Sequence, residues 1–414
     1  LVVQMRIGSE SQQHDPAKTD HPLHPAINRL LRPHADGQMR RGVRVLSVQS
    51  MRRHSREGKA IEHFGFVDGL SDPVFDKAAA GKVYPNQVQV GEFLWGRANA
   101  ADVAPESGTP EQKARMELLR DGSFLAVRKL SQNVDVLHNL VKVASQETGL
   151  DPELILAKMM GRTRKGESLV DPETPNDFDY RQDPHGSLCP IHSHARRANP
   201  RFGAADSGGP PEPVGARQPR LMRRGMSYGP LYASPPANET ALPDGQERGL
   251  IFMAYVSSLA EQFETVQRWL TGGNSAGGYS RQSDPFLGVP EVRGPDGKGE
   301  PCDERRGMRF EHNDEPYRIA LDEAPKLDAE PQPVVRLEWG MYLFSPSIPA
   351  MRRLRDIAKG ARQPAPAWSV REGALALQSL FEMEKVQGAA SAKQAWKALL
   401  EDPDAQEKYR SASA

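Results

Sequence analysis

Apolar residues follow two rhythms along the chain. In GVRVLSVQ (42–49) β-branched and polar residues alternate, which predicts a strand. SFLAVRKL (123–130), GLIFMAYVS (249–257) and VVRLEWGMYLF (334–344) predict three more, and GEFLWG (91–96), a short apolar run between glycines, predicts an edge strand. Helical spacing appears at Val134, Leu137, Leu140, Val141 and Val143, on one face of a helix over 133–148 that Gly149 ends. Thr109-Pro110-Glu111 opens a helix to about Leu119, and Asp151-Pro152 opens another to about Met160. Phe263, Val266 and Trp269 mark a helix over 259–270. Residues 348–361 and 372–409 also read as helical, the second rich in Ala, Lys, Glu and Leu.

The intervening stretches are polar or rich in turn formers. Residues 1–39 carry His14, His21, His24 and His34 without metal-ligand spacing. EHFGFVDGLSDP (62–73) has the Gly, Asp and Pro content of tight turns. Residues 171–219 are mostly irregular, with a Gly/Pro-rich link at 207–219, and 280–332 reads as a Pro- and charge-rich excursion. The element order is not a clean βαβ series, and no GxGxxG or phosphate loop is present. This predicts an α+β fold of antiparallel sheets covered on one side by helices.

Charge excludes some functions. Across 414 residues, 54 basic side chains balance 54 acidic ones, so nothing points to nucleic acid or a membrane surface. No apolar run approaches the ~20 residues that span a bilayer. Cys189 and Cys302 are the only cysteines, which excludes a disulfide framework and fits a reducing compartment such as the cytoplasm. The chain starts at Leu1 rather than Met, so a missing N-terminal portion is expected.

Three segments carry chemistry. CPIHSHARRANPR (189–201) sets His192 and His194 beside Arg196, Arg197 and Arg201. Imidazole suits iron and guanidinium suits carboxylate, the two needs of a propionate-bearing haem. The HxH pair is equally a candidate non-haem metal site, and the segment also has the composition of a basic surface loop. Gly65-Phe66-Val67-Asp68-Gly69 brackets an aspartate with glycines, either as a plain turn or as a proton carrier beside a flat ligand. LMRRGMSYG (221–229) offers Arg223 and Arg224, permanent cations that can stabilise developing negative charge.

Taken in order, EHFGFVDGLSDP, DGSFLAVRKL, CPIHSHARRANPR, LMRRGMSYGP, GLIFMAYVSSLAEQFETVQRWL and MYLFSPSI resemble the dye-decolorizing peroxidases, a haem enzyme family, over roughly residues 42–355. The resemblance implies a ferredoxin-like, dimeric α+β barrel. It implies a polar segment at 1–40, an incomplete first half at 41–170, a haem-binding half at 171–360 with the excursion at 280–332, and a helical extension at 361–414. It implies haem b, with His194 as the proximal iron ligand, Arg201 at a haem propionate, and Leu250 and Phe252 as the apolar distal wall. Asp68 and Arg223 would be the distal pair that handles hydrogen peroxide, with aromatic donors as reductants and an acidic optimum for dye oxidation. Trp95, Trp269 and Tyr228 are candidates for relaying electrons to bulky donors.

Some features depart from the family pattern. Only 64 residues precede Gly65, so a fragment or half of a homo-oligomeric assembly is expected. His192 stands where a non-ligating residue is usual. Thr163 replaces a customary tryptophan in GRTRKGESL (161–169). The acid that pairs with the proximal histidine has no secure assignment, Glu338 being one candidate. Two other readings remain open: a haem-binding or haem-handling protein with little peroxidase turnover, and a non-haem metalloprotein using His192 and His194.

Overall fold

The computed structural model describes residues 49–84, 86–99, 116–201, 218–271, 283–288, 306–321 and 332–360. The strand expected at 42–49 (apart from Gln49), the helix expected at 372–409 and the four N-terminal histidines lie outside them. Of the helix expected from Thr109, only 116–119 is described, and it is helical.

The strands expected at 123–130, 249–257 and 334–344, with two short strands from 222–228, build one antiparallel sheet. Its strands are β3 (Ser123–Gln132), β4 (Met222–Arg223), β5 (Met226–Tyr228), β6 (Gly249–Val256) and β9 (Val335–Ser345). The order is β4-β6-β3-β9, and β5 also pairs with β6. Strand β3 comes from the segment assigned to the first half, yet it is flanked by β6 and β9 from the second, so 41–170 and 171–360 share a sheet. Partners directly opposite in an antiparallel pair point to the same face. Ala126 pairs with Ala254 and with Tyr342, and Arg128 with Phe252. That face packs on Leu259 and Phe263, while Val127, Ile251 and Met253 form a separate cluster with Tyr228.

Leu259–Glu264 is a π-helical turn that runs into α4 (Thr265–Thr271). Its start is held by the buried Gln262, whose Oε1 accepts from the amides of Ser257 (3.0 Å) and Ser258 (2.9 Å). Helices α1 (Val134–Thr148) and α2 (Pro152–Met160) follow β3, as their periodicity predicts. Asp151 caps α2 by accepting from the Glu153 amide at 2.7 Å. Ile155 and Met159 of α2 are fully buried, worth roughly 1.5–3 kcal/mol each. They share a core with Leu137 and Val141 of α1 and with Phe64, Phe66 and Phe286. Two further helices among the described residues are α3 (His194–Ala198) and α5 (Ile348–Gly360).

Two expectations are corrected. The stretch 91–96 is not a strand: Val90–Glu92 is a 3-10 turn, and the chain folds back so closely that a Cβ on Gly91 would sit 2.0 Å from the Ala98 carbonyl oxygen. Within the excursion at 280–332 lies a hairpin, β7 (Gly307–His312) with β8 (Glu315–Ala320). Asn313 and Asp314 turn it with φ of 53° and 63°, and Met308, Phe310 and Ile319 enter the α1–α2 core. A further short hairpin, β1 (His54–Arg56) with β2 (Lys59–Ile61), leads into the 62–73 loop. No helix among the described residues is long and apolar enough to cross a membrane.

Candidate functional site

The loop after β2 is closed on itself. The Glu62 amide donates to the Phe66 carbonyl (3.1 Å) and the Gly65 amide to the Glu62 carbonyl (2.9 Å). Gly65 and Gly69 take φ of 87° and 81°, left-handed values that a side chain would strain. Asp68 stands exposed at the end of the loop, its amide donating to the Ala60 carbonyl (2.9 Å) and its Oδ1 accepting from the Gly69 amide (2.7 Å).

His194 begins α3, and its Nδ1 lies 2.8 Å from Oδ2 of Asp284, ninety positions on in sequence. Asp284 is completely buried and is held on every side. Its amide donates to the Leu270 carbonyl at the end of α4 (2.9 Å), and its Oδ1 accepts from the amides of Phe286 (2.9 Å) and Leu287 (2.7 Å). Its carbonyl accepts from Arg306 Nη1 (2.9 Å) and from the Gly288 amide (2.9 Å). Burial alone would push the Asp284 carboxyl up, but His194 and the two amides outweigh that and hold it below its usual range. Burial likewise presses the His194 imidazole down, and the charge and hydrogen bond of Asp284 lift it above its usual value. With Nδ1 occupied, Nε2 is the nitrogen available as a ligand. Glu338 is not the partner acid: it is exposed on β9 and accepts from Arg336 Nη2 at 2.7 Å.

His192 faces a different neighbour. Its Nδ1 accepts from Nη1 of the fully buried Arg197 at 3.0 Å, and Arg197 also donates to the Trp269 carbonyl of α4. Burial and the Arg197 and Arg196 charges push the His192 imidazole down to about 4, so it is neutral at ordinary pH. Among the described residues no group of three or more His, Cys, Asp or Glu side chains is arranged to hold a metal ion.

Arg201 is 3% exposed, and its neighbours Arg162 and Arg220 are 8% and 9% exposed, yet among the described residues no carboxylate pairs with any of the three. Arg201 donates to the Asn176 and Phe178 carbonyls (both 2.9 Å) and to Ser71 Oγ (2.8 Å), and it lies over the Phe178 ring. Ser71 Oγ also accepts from Arg162 Nη2 at 2.9 Å. Arg220 donates to the Tyr84 hydroxyl through Nη1, while its buried Nη2 has no partner. Burial, then repulsion from Arg201, brings Arg162 down to about 10. Three buried guanidiniums with no carboxylate partner among the described residues would suit an anion.

Arg223 lies opposite Ala254 in the β4–β6 pair, so it shares a sheet face with Leu250 and Phe252. Phe252 packs on Phe263 with ring centroids 6.2 Å apart, and Leu250 is half-buried beside it on β6. The Arg223 guanidinium donates to the Leu70 carbonyl, two residues beyond Asp68, which brings the predicted distal pair to one loop without direct contact. Arg224 donates to Asp72, Nη1 to Oδ2, at 3.0 Å, and Arg223 Nη2 reaches the other oxygen of the same carboxylate at 3.9 Å. Of the candidate relay residues, Tyr228 is buried, with its hydroxyl donating to the Leu130 carbonyl (3.3 Å), and Trp95 and Trp269 are half-buried.

A sequence profile described as "Dyp-type peroxidase, C-terminal" matches residues 60–279, just over half the chain and the stretch that holds Asp68, His194, Arg201 and Arg223. The chain belongs to the Dyp-type peroxidases. It is 30% identical over 308 residues to the multifunctional dye peroxidase DyP2 of an Amycolatopsis species, covering 72% of this chain and 61% of that one. The solved structure of Amycolatopsis DyP2 superposes with a TM-score of 0.54 at 26% identity, covering 74% of this chain and 64% of that one. A deferrochelatase of Yersinia pestis is 25% identical over 226 residues, 53% of this chain and 42% of its own length. The chain thus spans about 61% of the length of the Amycolatopsis relative. The family resemblance, the α+β class and the antiparallel sheet expected from sequence stand. Sequence reading missed Asp284, Arg162 and Arg220; the one local sign of Asp284 is Ser-Asp-Pro-Phe-Leu-Gly, an apolar island in a charged stretch.

Proposed function

We propose that this chain binds haem b through His194 and serves a peroxidase that reduces hydrogen peroxide and oxidises aromatic, dye-like donors by one-electron steps. The observation that carries this reading is the His194–Asp284 pair, a buried carboxylate fixing the tautomer and orientation of an imidazole. The residues present fit the cofactor. His194 Nε2 supplies the ligand nitrogen, and the buried guanidiniums of Arg162, Arg201 and Arg220, with no carboxylate partner among the described residues, match a group that carries two carboxylates. Leu250 and Phe252 offer an apolar wall on the sheet. The haem, when bound, supplies the iron redox chemistry.

The protein's own part is proton handling and charge stabilisation. Asp68 takes the proton from the inner oxygen of peroxide and returns it to the outer one. Arg223, on the strand that faces this loop, stabilises negative charge as the O–O bond breaks. His192, neutral and engaged by Arg197, is a support for α3 rather than a ligand, which disfavours a non-haem site on the HxH pair. The Asp68→Asn variant tests the assignment. Asn preserves size and turn chemistry but cannot carry the proton, so peroxide reactivity should fall by ~10²–10⁴-fold with haem binding retained. A normal peroxide step in that variant would reduce Asp68 to a turn residue.

A second reading is haem handling with little turnover. It draws on the exposure of Asp68, whose Oδ1 is spent on the next amide of its own loop. Steady-state oxidation of a dye by peroxide separates the two: turnover by the haem-loaded chain supports the peroxidase, and its absence with intact haem binding supports the handling role.

A further inference from the structure

Glu62 opens the glycine-bracketed loop and has no part in the roles above. Its Oε1 accepts from the Phe66 amide (2.9 Å), and its Oε2 accepts from the Phe64 amide (2.9 Å) and from Gln132 Nε2 (2.5 Å). With its own amide and carbonyl bonded to Phe66 and Gly65, this one residue closes five hydrogen bonds around 62–66 and to Gln132. Gln132 is the last residue of β3, and its amide donates to the Arg248 carbonyl at 3.0 Å, so the loop is anchored to the central strand. The rings of Phe64 and Phe66 meet Phe286, with centroids 5.7 and 6.3 Å away, and Phe286 also meets the His194 ring at 6.0 Å. Burial raises the Glu62 carboxyl, the two amides and Gln132 pull it back, and Asp68 repels it. A half-buried carboxylate spent on three donors of its own loop and strand needs a reason, and the geometry supplies one.

We propose that Glu62 is a positioning residue, whose carboxylate clamps the Phe64 and Phe66 amides to the end of β3 and so fixes where Asp68 stands during the peroxide step. The proposal rests on the reading of Asp68 as the proton carrier. Asp68 is tied to the same frame through its amide and the Ala60 carbonyl, so loosening 62–66 displaces it. A misplacement of about 1 Å costs on the order of 100-fold in rate.

The test is Glu62→Gln in the full, haem-loaded chain, with hydrogen exchange measured also in the haem-free protein. Gln keeps the shape, but one oxygen becomes an NH₂ that cannot accept from an amide. Exchange at the Phe64 or Phe66 amide should rise by about 10–100-fold, the range for a lost hydrogen bond to a charged group. The single-turnover peroxide reaction should slow by about 10–100-fold, with the haem spectrum unchanged. The swap Glu62→Gln/Gln132→Glu restores the charge and the carboxylate–amide pair, but not the two acceptors, and should remain slow. Should Glu62→Gln fail to fold, Gln132→Leu leaves the carboxylate and removes its tie to β3, and a several-fold slower peroxide step is expected. Unchanged exchange and rate in Glu62→Gln, a wild-type rate in the swap, or an unaffected Gln132→Leu would each overturn the proposal. Asp68→Asn run alongside separates the two levels. A slow Asp68→Asn with a normal Glu62→Gln sinks only this inference, whereas a normal Asp68→Asn removes the reading beneath it as well.

Discussion

Replacing Asp284 by Asn probes the His194 pair with almost no change of shape. The wild-type carboxylate accepts three donors: two amides at Oδ1 and the His194 Nδ1–H at Oδ2. An asparagine has one acceptor oxygen. If that oxygen stays with the Phe286 and Leu287 amides, the NH₂ faces His194 and forces the tautomer whose Nε2 carries the hydrogen and cannot ligate. If the amide flips, the NH₂ opposes two backbone donors. Either arrangement loses at least one hydrogen bond to a charged group, about 1.5–3 kcal/mol. That corresponds to roughly a 10–100-fold weakening, in line with the usual effect of losing the carboxylate behind a ligating histidine. Haem transfer to an acceptor globin measures it directly, and an Asp284→Asn protein that holds haem as tightly as wild type would refute the reasoning. The haem-free protein offers a second readout. Asp284 titrates low and His194 high, so each favours folding in one direction. The lowered carboxyl contributes stability that is lost as pH falls through its folded value, and the raised imidazole contributes stability that is lost as pH rises through its own. The pair is therefore worth most between about pH 4 and 6.5, the ordinary values of the two groups. In Asp284→Asn the His194 titration, followed by NMR, should drop below about 6.5, since burial then acts without its counterweight.

Two further outcomes are expected. His192→Ala should retain haem while lowering folding stability by about 1–3 kcal/mol, because it leaves the buried Arg197 Nη1 without its imidazole partner; haem loss on this change would move the ligand to His192. Arg223→Leu should slow the peroxide step by about 10²–10³-fold, the range for removing a single charge-stabilising donor, with haem retained, whereas Arg224→Leu should change little because Arg224 is held closely by Asp72 at 3.0 Å, while Arg223 reaches that carboxylate only at 3.9 Å and shares the face of Leu250 and Phe252; stopped-flow traces that fall equally in both would contradict the distinction.

What the sequence disclosed followed from local rules. The apolar runs at 123–130 and 249–257, and the helical spacing at 133–148, returned as β3, β6 and α1 because the two central strands carry core residues on both faces and α1 buries one face. GEFLWG failed because tertiary contact overrode its composition: the close approach of Ala98 demands Gly91 in a turn. The β7–β8 hairpin was hidden because its alternation is short and sits among prolines and charges, and its Asn-Asp turn lacks the glycine that usually flags one. The candidate site residues divide in the same way. His194, Arg201 and Asp68 were legible within single segments. Asp284 was not, since only the packing of α4 against α3 brings it across ninety positions, and no spacing rule reaches that far. Glu338 illustrates the reverse error, an acid near the right strand whose side chain faces an arginine on its own strand. That Arg162, Arg201 and Arg220 are buried with no carboxylate partner among the described residues is likewise invisible until the fold is known.

The most direct test of the account is a haem titration of the purified chain, followed in the Soret region, for the wild type and for His194→Ala. The wild type should give a saturable one-to-one Soret band, and stable binding should be lost when the imidazole that Asp284 orients is removed. A wild-type chain with no Soret band, or a His194→Ala chain that binds haem unchanged, would contradict it.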